Sequence, residues 1–152
     1  MKKLLYVLLI CAGCKSSSTT DARFESLNTA LENTLTDSQL EKSTHCIIIP
    51  KSGCGGCIDE AILFLKPRID SLKNVEIVFS GIADRKLLKL VVGEAFLQKA
   101  NVHIDSLNHF QDLKLLSVYP QLVTLTDGKA TSLKELDSHS AELTALLKSE
   151  KK

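Results

Sequence analysis

The sequence has no excess of either charge and no apolar run long enough to cross a bilayer as a permanent helix. Its 19 Lys and Arg side chains balance 18 Asp and Glu, and no basic cluster or basic stripe with interleaved aromatics stands out. Nucleic-acid binding therefore finds no support. Internal repeats are also lacking. Proline is scarce: Pro50, Pro67 and Pro120 are the only three, so each one marks a boundary. The 152 residues leave room for one domain with a hydrophobic core and too little for two ordinary ones.

The first residues do not belong to that core. Met1-Lys2-Lys3 is a short positive segment, Leu4 to Ile10 is apolar, and small residues follow at Ala12 and Gly13 before Cys14. This is the layout of a secretory signal over residues 1–13. Ala12-Gly13-Cys14 resembles a bacterial lipobox, with Cys11 standing where Leu is usual. The resemblance implies that Cys14 is lipidated and becomes the mature N-terminus. Ordinary signal cleavage and an uncleaved anchor are the alternatives. Residues 14–20 then form a lipidated cysteine and a polar tether, since Lys15 to Thr20 can bury no apolar area. Lys15-Ser16 lacks the Asp that commonly signals inner-membrane retention, so a periplasm-facing lipoprotein of the outer membrane is expected over one of the inner. Losing Lys2 and Lys3 with the signal leaves 17 basic against 18 acidic side chains.

Cysteine is what the chain does have. Of five, Cys11 leaves with the signal and Cys14 is spent on lipid, so Cys46, Cys54 and Cys57 remain. An odd number in an oxidising compartment suits a close pair plus a buried thiol better than a purely structural framework.

Residues 21–43 read as a helical extension. Asp21 can cap its start, Phe24, Leu27, Leu31 and Leu35 recur at helical spacing, and Thr36-Asp37-Ser38 offers a break and a second cap. Residues 44–152 form the main domain. His45-Cys46-Ile47-Ile48-Ile49 is a short apolar run closed by Pro50, the pattern of a central strand buried on both faces. A turn at Lys51-Ser52-Gly53 leads into Cys54-Gly55-Gly56-Cys57. Ile58, Ala61, Ile62, Leu65 and Ile69 then share one helix face, which Pro67 should kink or end early. Val75 to Phe79 is a second strand, and the βαβ unit so made predicts parallel strands.

A helix is expected over Asp84 to Lys99 with Gly93 inside it, then a short strand at Val102 to Ile104 and a weak helix within Ser106 to Leu116. Gln121 to Leu125 and Ala130 to Leu133 flank Asp127-Gly128, a hairpin signal. Ser138 or Ser140 can cap a last helix carrying Leu143, Leu146 and Leu147. The order predicts an α/β fold, a mixed sheet with helices on both faces.

Two separated features resemble the thioredoxin superfamily, in particular its membrane-anchored extracytoplasmic thiol–disulfide oxidoreductases. One is the CxxC placed directly after an apolar strand and opening a helix. The other is Val118-Tyr119-Pro120 followed by the Gln121 strand and Asp127-Gly128-Lys129. The resemblance implies a thioredoxin-like fold, a cis peptide before Pro120, and a backbone offered to extended substrates by Tyr119; an ordinary trans strand start at Tyr119-Pro120 is the alternative. It also implies partners that are exported proteins with thiols or disulfides, and a redox partner. This chain has Gly53 where many relatives carry Trp, and Ile48 where thioredoxins proper place a buried acid.

The attacking species in exchange is a thiolate, which unsatisfied N–H groups at a helix start stabilise. Cys54 is thus read as nucleophile and Cys57, one turn on, as the resolving thiol. A static disulfide, a metal site and a turn with idle thiols compete. Zinc needs two more ligands, and His45, His103, His109, His139 and Cys46 form no second tight pair, so no metal or other cofactor is expected. Some thioredoxin-like lipoproteins bind copper through CxxxC, one residue longer than CGGC. The rival function is a binding module for peptide or copper with a structural or regulatory CxxC. Cys46 reads as a small buried hydrophobe, and the histidines as surface or capping residues.

Overall fold

In a computed structural model, which describes residues 19–137 and 141–149, five strands form one mixed sheet. At its centre lies β1 (His45–Pro50), whose four inner residues are all buried. It pairs in parallel with β2 (Val75–Ser80) and antiparallel with β4 (Gln121–Thr126). The short β3 (Val102–Ile104) adds in parallel to β2 at one edge, and β5 (Lys129–Glu135) pairs antiparallel with β4 at the other. The order is β3-β2-β1-β4-β5. Asp127 and Gly128 link β4 to β5 with φ of 51° and 74°, the paired positive values that a tight hairpin needs.

Because successive strand residues point to opposite faces, β1 serves two cores. Ile47 and Ile49 join Ile77, Phe79 and Leu122 under α3 (Gly55–Leu65), α4 (Arg85–Val92), α5 (Glu94–Leu97) and α6 (Ala141–Ser149). Cys46 and Ile48 join Val78, Val123 and Leu125 on the other face, covered by α1 (Thr19–Thr34) and α2 (Asp37–Lys42). The crossovers β1-α3-β2 and β2-α4-β3 step the same way across the sheet, and their helices share one face. The α/β class, with a mixed sheet flanked by helices, is as expected and is compatible with a thioredoxin-like fold.

The N-terminal extension is docked on the sheet. Leu27, Leu31 and Leu35 are buried, each contributing about 1.5–3 kcal/mol of apolar transfer. The Asn28 side chain takes the Ala130 N–H at 2.8 Å, and Lys129 pairs with Glu32. The Lys114 N–H and the Ser26 hydroxyl hold the Asp112 carboxyl below its ordinary range, tying α1 to the loop before β4. Thr36 caps α2 in a reciprocal box with Gln39.

Three expectations change. Thr19 and Thr20 belong to α1 and not to a tether, which puts Asp21 inside the helix, not at its cap. The helix expected over 84–99 is two, because Gly93 adopts φ 90° between α4 and α5. The early end expected at Pro67 is met: the helix opened by the CGGC ends at Leu65, and the Pro67 segment continues as a tighter turn over Lys66–Ser71. Between Ser106 and Leu116 only a single 3-10 turn forms (His109–Gln111), since buried Asp105 accepts the His109 and Phe110 N–H groups, both at 2.9 Å. The signal, Cys14, the Ser138 and Ser140 caps, His139, the Leu147 side chain and residues 150–152 lie outside the described residues.

Candidate functional site

The site forms where β1 ends. The Lys51 N–H still reaches the Ser80 carbonyl at 3.0 Å, so the chain leaves the sheet at the tip of β2. Gly53 then turns with φ 147°. A Cβ at this position would lie 2.2 Å from the Val118 carbonyl oxygen, so only glycine fits. That contact accounts for the glycine: the loop before β4 fills the space that any side chain would take.

Cys54 caps α3 with extended backbone, and its Sγ lies 3.4 Å from the Cys57 N–H. Cys54 and Cys57 form a disulfide, with Sγ–Sγ 2.08 Å and Cα–Cα 5.3 Å. Cys54 is half-buried and Cys57 is buried at 4% exposure, so an approaching partner meets Cys54 first. Added Cβ atoms at Gly55 and Gly56 would touch nothing within 4 Å. The surface over the two glycines between the cysteines is open.

The loop before β4 forms the second wall. The Cys54 N–H donates to the Val118 carbonyl at 2.7 Å. Ser117 holds this loop, accepting from the Tyr119 N–H at 3.0 Å and donating to Glu135 at 2.8 Å. The residue whose backbone meets the CGGC turn is therefore Val118, with Tyr119 one step beyond. The expected cis peptide is corrected: no cis bond occurs among the described residues, and Tyr119–Pro120 is trans. Pro120 stands at the start of β4, where a missing N–H costs no ladder bond, and its carbonyl accepts from Leu136 at 2.7 Å.

Ile48 packs with Phe110, Leu115 and Val123 on the sheet face opposite α3. Cys46 is fully enclosed on that same face. Burial, with the charge of Glu76 adding to it, pushes its thiol well above its ordinary range. Glu76 is the buried group that the sequence reading missed. It accepts from the Ser43 hydroxyl at 3.0 Å and pairs with His103 Nε2 at 2.6 Å. His103 is thus a partner of a buried acid, not a surface residue. A lone acid inside the apolar run Val75 to Phe79 was the available signal.

Among the described residues, no three His, Cys, Asp or Glu side chains are grouped to hold a metal ion. Nor is any described helix long and apolar enough to cross a membrane. No family model, curated protein or solved structure matches the chain. What the geometry places at this end of the sheet is a disulfide at a helix N-terminus, between a half-buried and a buried cysteine.

Proposed function

We propose that the protein exchanges disulfides with exported proteins through Cys54 and Cys57, tethered in the cell envelope by lipid on Cys14. The observation that carries the reading is the disulfide across the first turn of α3, with one sulfur half-buried and the other buried. In the oxidised protein, a partner thiolate forms a bond to Cys54 as the Cys54–Cys57 bond breaks. Cys57 leaves as a thiolate and takes a proton from water, so the partner sulfur is oxidised and Cys57 reduced. Run backwards, Cys57 attacks the mixed disulfide and releases the partner thiol. The N–H groups of the α3 start favour negative sulfur at Cys54 in either direction. Open space over Gly55 and Gly56 suits a folded or extended protein partner. The envelope tether rests on the Met1 to Cys14 pattern.

Trapping tests the reading. Cys57→Ser removes the resolving thiol, so partners should accumulate on Cys54 as adducts that reductant releases. If no adducts accumulate, and Cys54→Ser does not reproduce the phenotype of deletion, the disulfide is structural and the chain is a binding module. Incorporation of labelled palmitate that Cys14→Ala abolishes is the expected result for the tether.

A further inference from the structure

An apolar cleft of about 120 Å³ opens beside the disulfide, between α3 and α4. Ile58 and Ile62 form one wall, Leu87 and Val91 the other, and Phe79 lies at the floor. Leu87 and Val91 are each 55% exposed, leaving apolar area in water that a guest could cover. We propose that this cleft receives one neutral aliphatic or aromatic side chain of the exchange partner, carried by a residue close in sequence to the partner's cysteine. This rests on the exchange chemistry proposed above and adds a rule for partner choice.

Three features define the occupant. Size comes first: small-molecule sites run to roughly 300–1,000 Å³, so a cleft of this volume matches a single large side chain instead. Charge comes second. The ionisable lining groups are Lys51 and Asp84, one of each sign, and Asp84 Oδ1 is already engaged by the Lys86 and Leu87 N–H groups. A charged guest would lose its hydration without a net countercharge. Position comes third. Ile58 directly follows Cys57 and Lys51 lies three residues before Cys54, so lining residues flank the CGGC turn on both sides in the chain. A partner whose sulfur reaches Cys54 can lay a neighbouring residue over this stretch.

The test uses the oxidised wild-type protein and reduced short peptides with one Cys and, two residues away, either Leu or Ser. Dithiothreitol serves as a thiol with no side chain to place. The Leu peptide should form the mixed disulfide about tenfold faster than the Ser peptide. Val91→Lys and, separately, Leu87→Gln should bring that ratio close to one. Equal rates in the wild type, with the disulfide still opened by both peptides, overturn the cleft and leave exchange standing. A ratio that persists in both variants also overturns it. A disulfide that no peptide opens, though dithiothreitol reduces it, overturns the cleft together with the exchange reading.

Discussion

Cysteines stand at the start of β1 and just past its end, in opposite surroundings. At the start of the strand, Cys46 is sealed under α1 and α2 beside Glu76, where burial and a neighbouring negative charge both keep its proton on. Just past the end, Cys54 caps α3, its N–H is held by Val118, and the space over the two glycines that follow is open. The strand thus encloses one cysteine, and the turn that follows it leaves the other half-buried. Reactivity follows from what surrounds the sulfur, and a count of cysteines does not reveal it.

The comparison breaks most visibly at Gly53. Gly53→Ala drives a Cβ into the Val118 backbone from a positive φ, so unfolding free energy should fall by about 3 kcal/mol in denaturant titration. Unchanged stability would mean that the loop before β4 does not close on the CGGC turn.

Next comes the buried acid. His103→Ala leaves Glu76 enclosed with only Ser43 as side-chain partner, and should cost about 2 kcal/mol. Exchange per folded molecule should stay at the wild-type rate, because the change lies at the far end of β1. A slowed exchange would show that the two ends are coupled.

The third effect depends on pH. A thiol whose folded pKa lies above its unfolded value keeps its proton where the unfolded chain has lost it. Cys46 therefore supports folding fully below its ordinary pKa of 9.0, and that support is lost as pH rises above it. Stability should decline by up to about 1.4 kcal/mol per pH unit there. Cys46→Ala should flatten the difference between pH 8 and pH 10 when the two proteins are titrated side by side. An identical slope in both would contradict the sealed environment.

The smallest effect is expected at Gly56. Gly56→Ala enters open space in the first turn of α3 and should stabilise the fold by about 0.5 kcal/mol. Exchange with a protein partner should slow more than exchange with a small thiol, as the methyl group stands over the approach.

Much of this was legible in the residues. The apolar run before CGGC, the Asp127-Gly128 turn and the helical spacing of Leu27, Leu31 and Leu35 signal their structures locally, and those elements form where expected. What was not legible depends on contacts between distant segments. Gly53 reads as a departure from a resemblance until Val118 is placed against it. Glu76 is one acid in an apolar strand, with nothing nearby in the sequence to pair it, until His103 and Ser43 arrive from elsewhere in the chain. At Pro120 the resemblance points to cis, while the plain reading of a proline at a strand start is the one that holds. The Gly93 break was half visible, since a glycine in a helix warns of an interruption without giving its φ.

The most direct test is the pH dependence of alkylation in the reduced protein, read separately at Cys54 and at Cys46 by mass spectrometry. Cys54 should be modified with a titration midpoint well below the value near 8.5 of free cysteine, while Cys46 resists modification until the protein unfolds. A Cys54 midpoint at or above about 8.5, or a Cys46 that reacts as readily as Cys54, would contradict an exchange site at the end of β1.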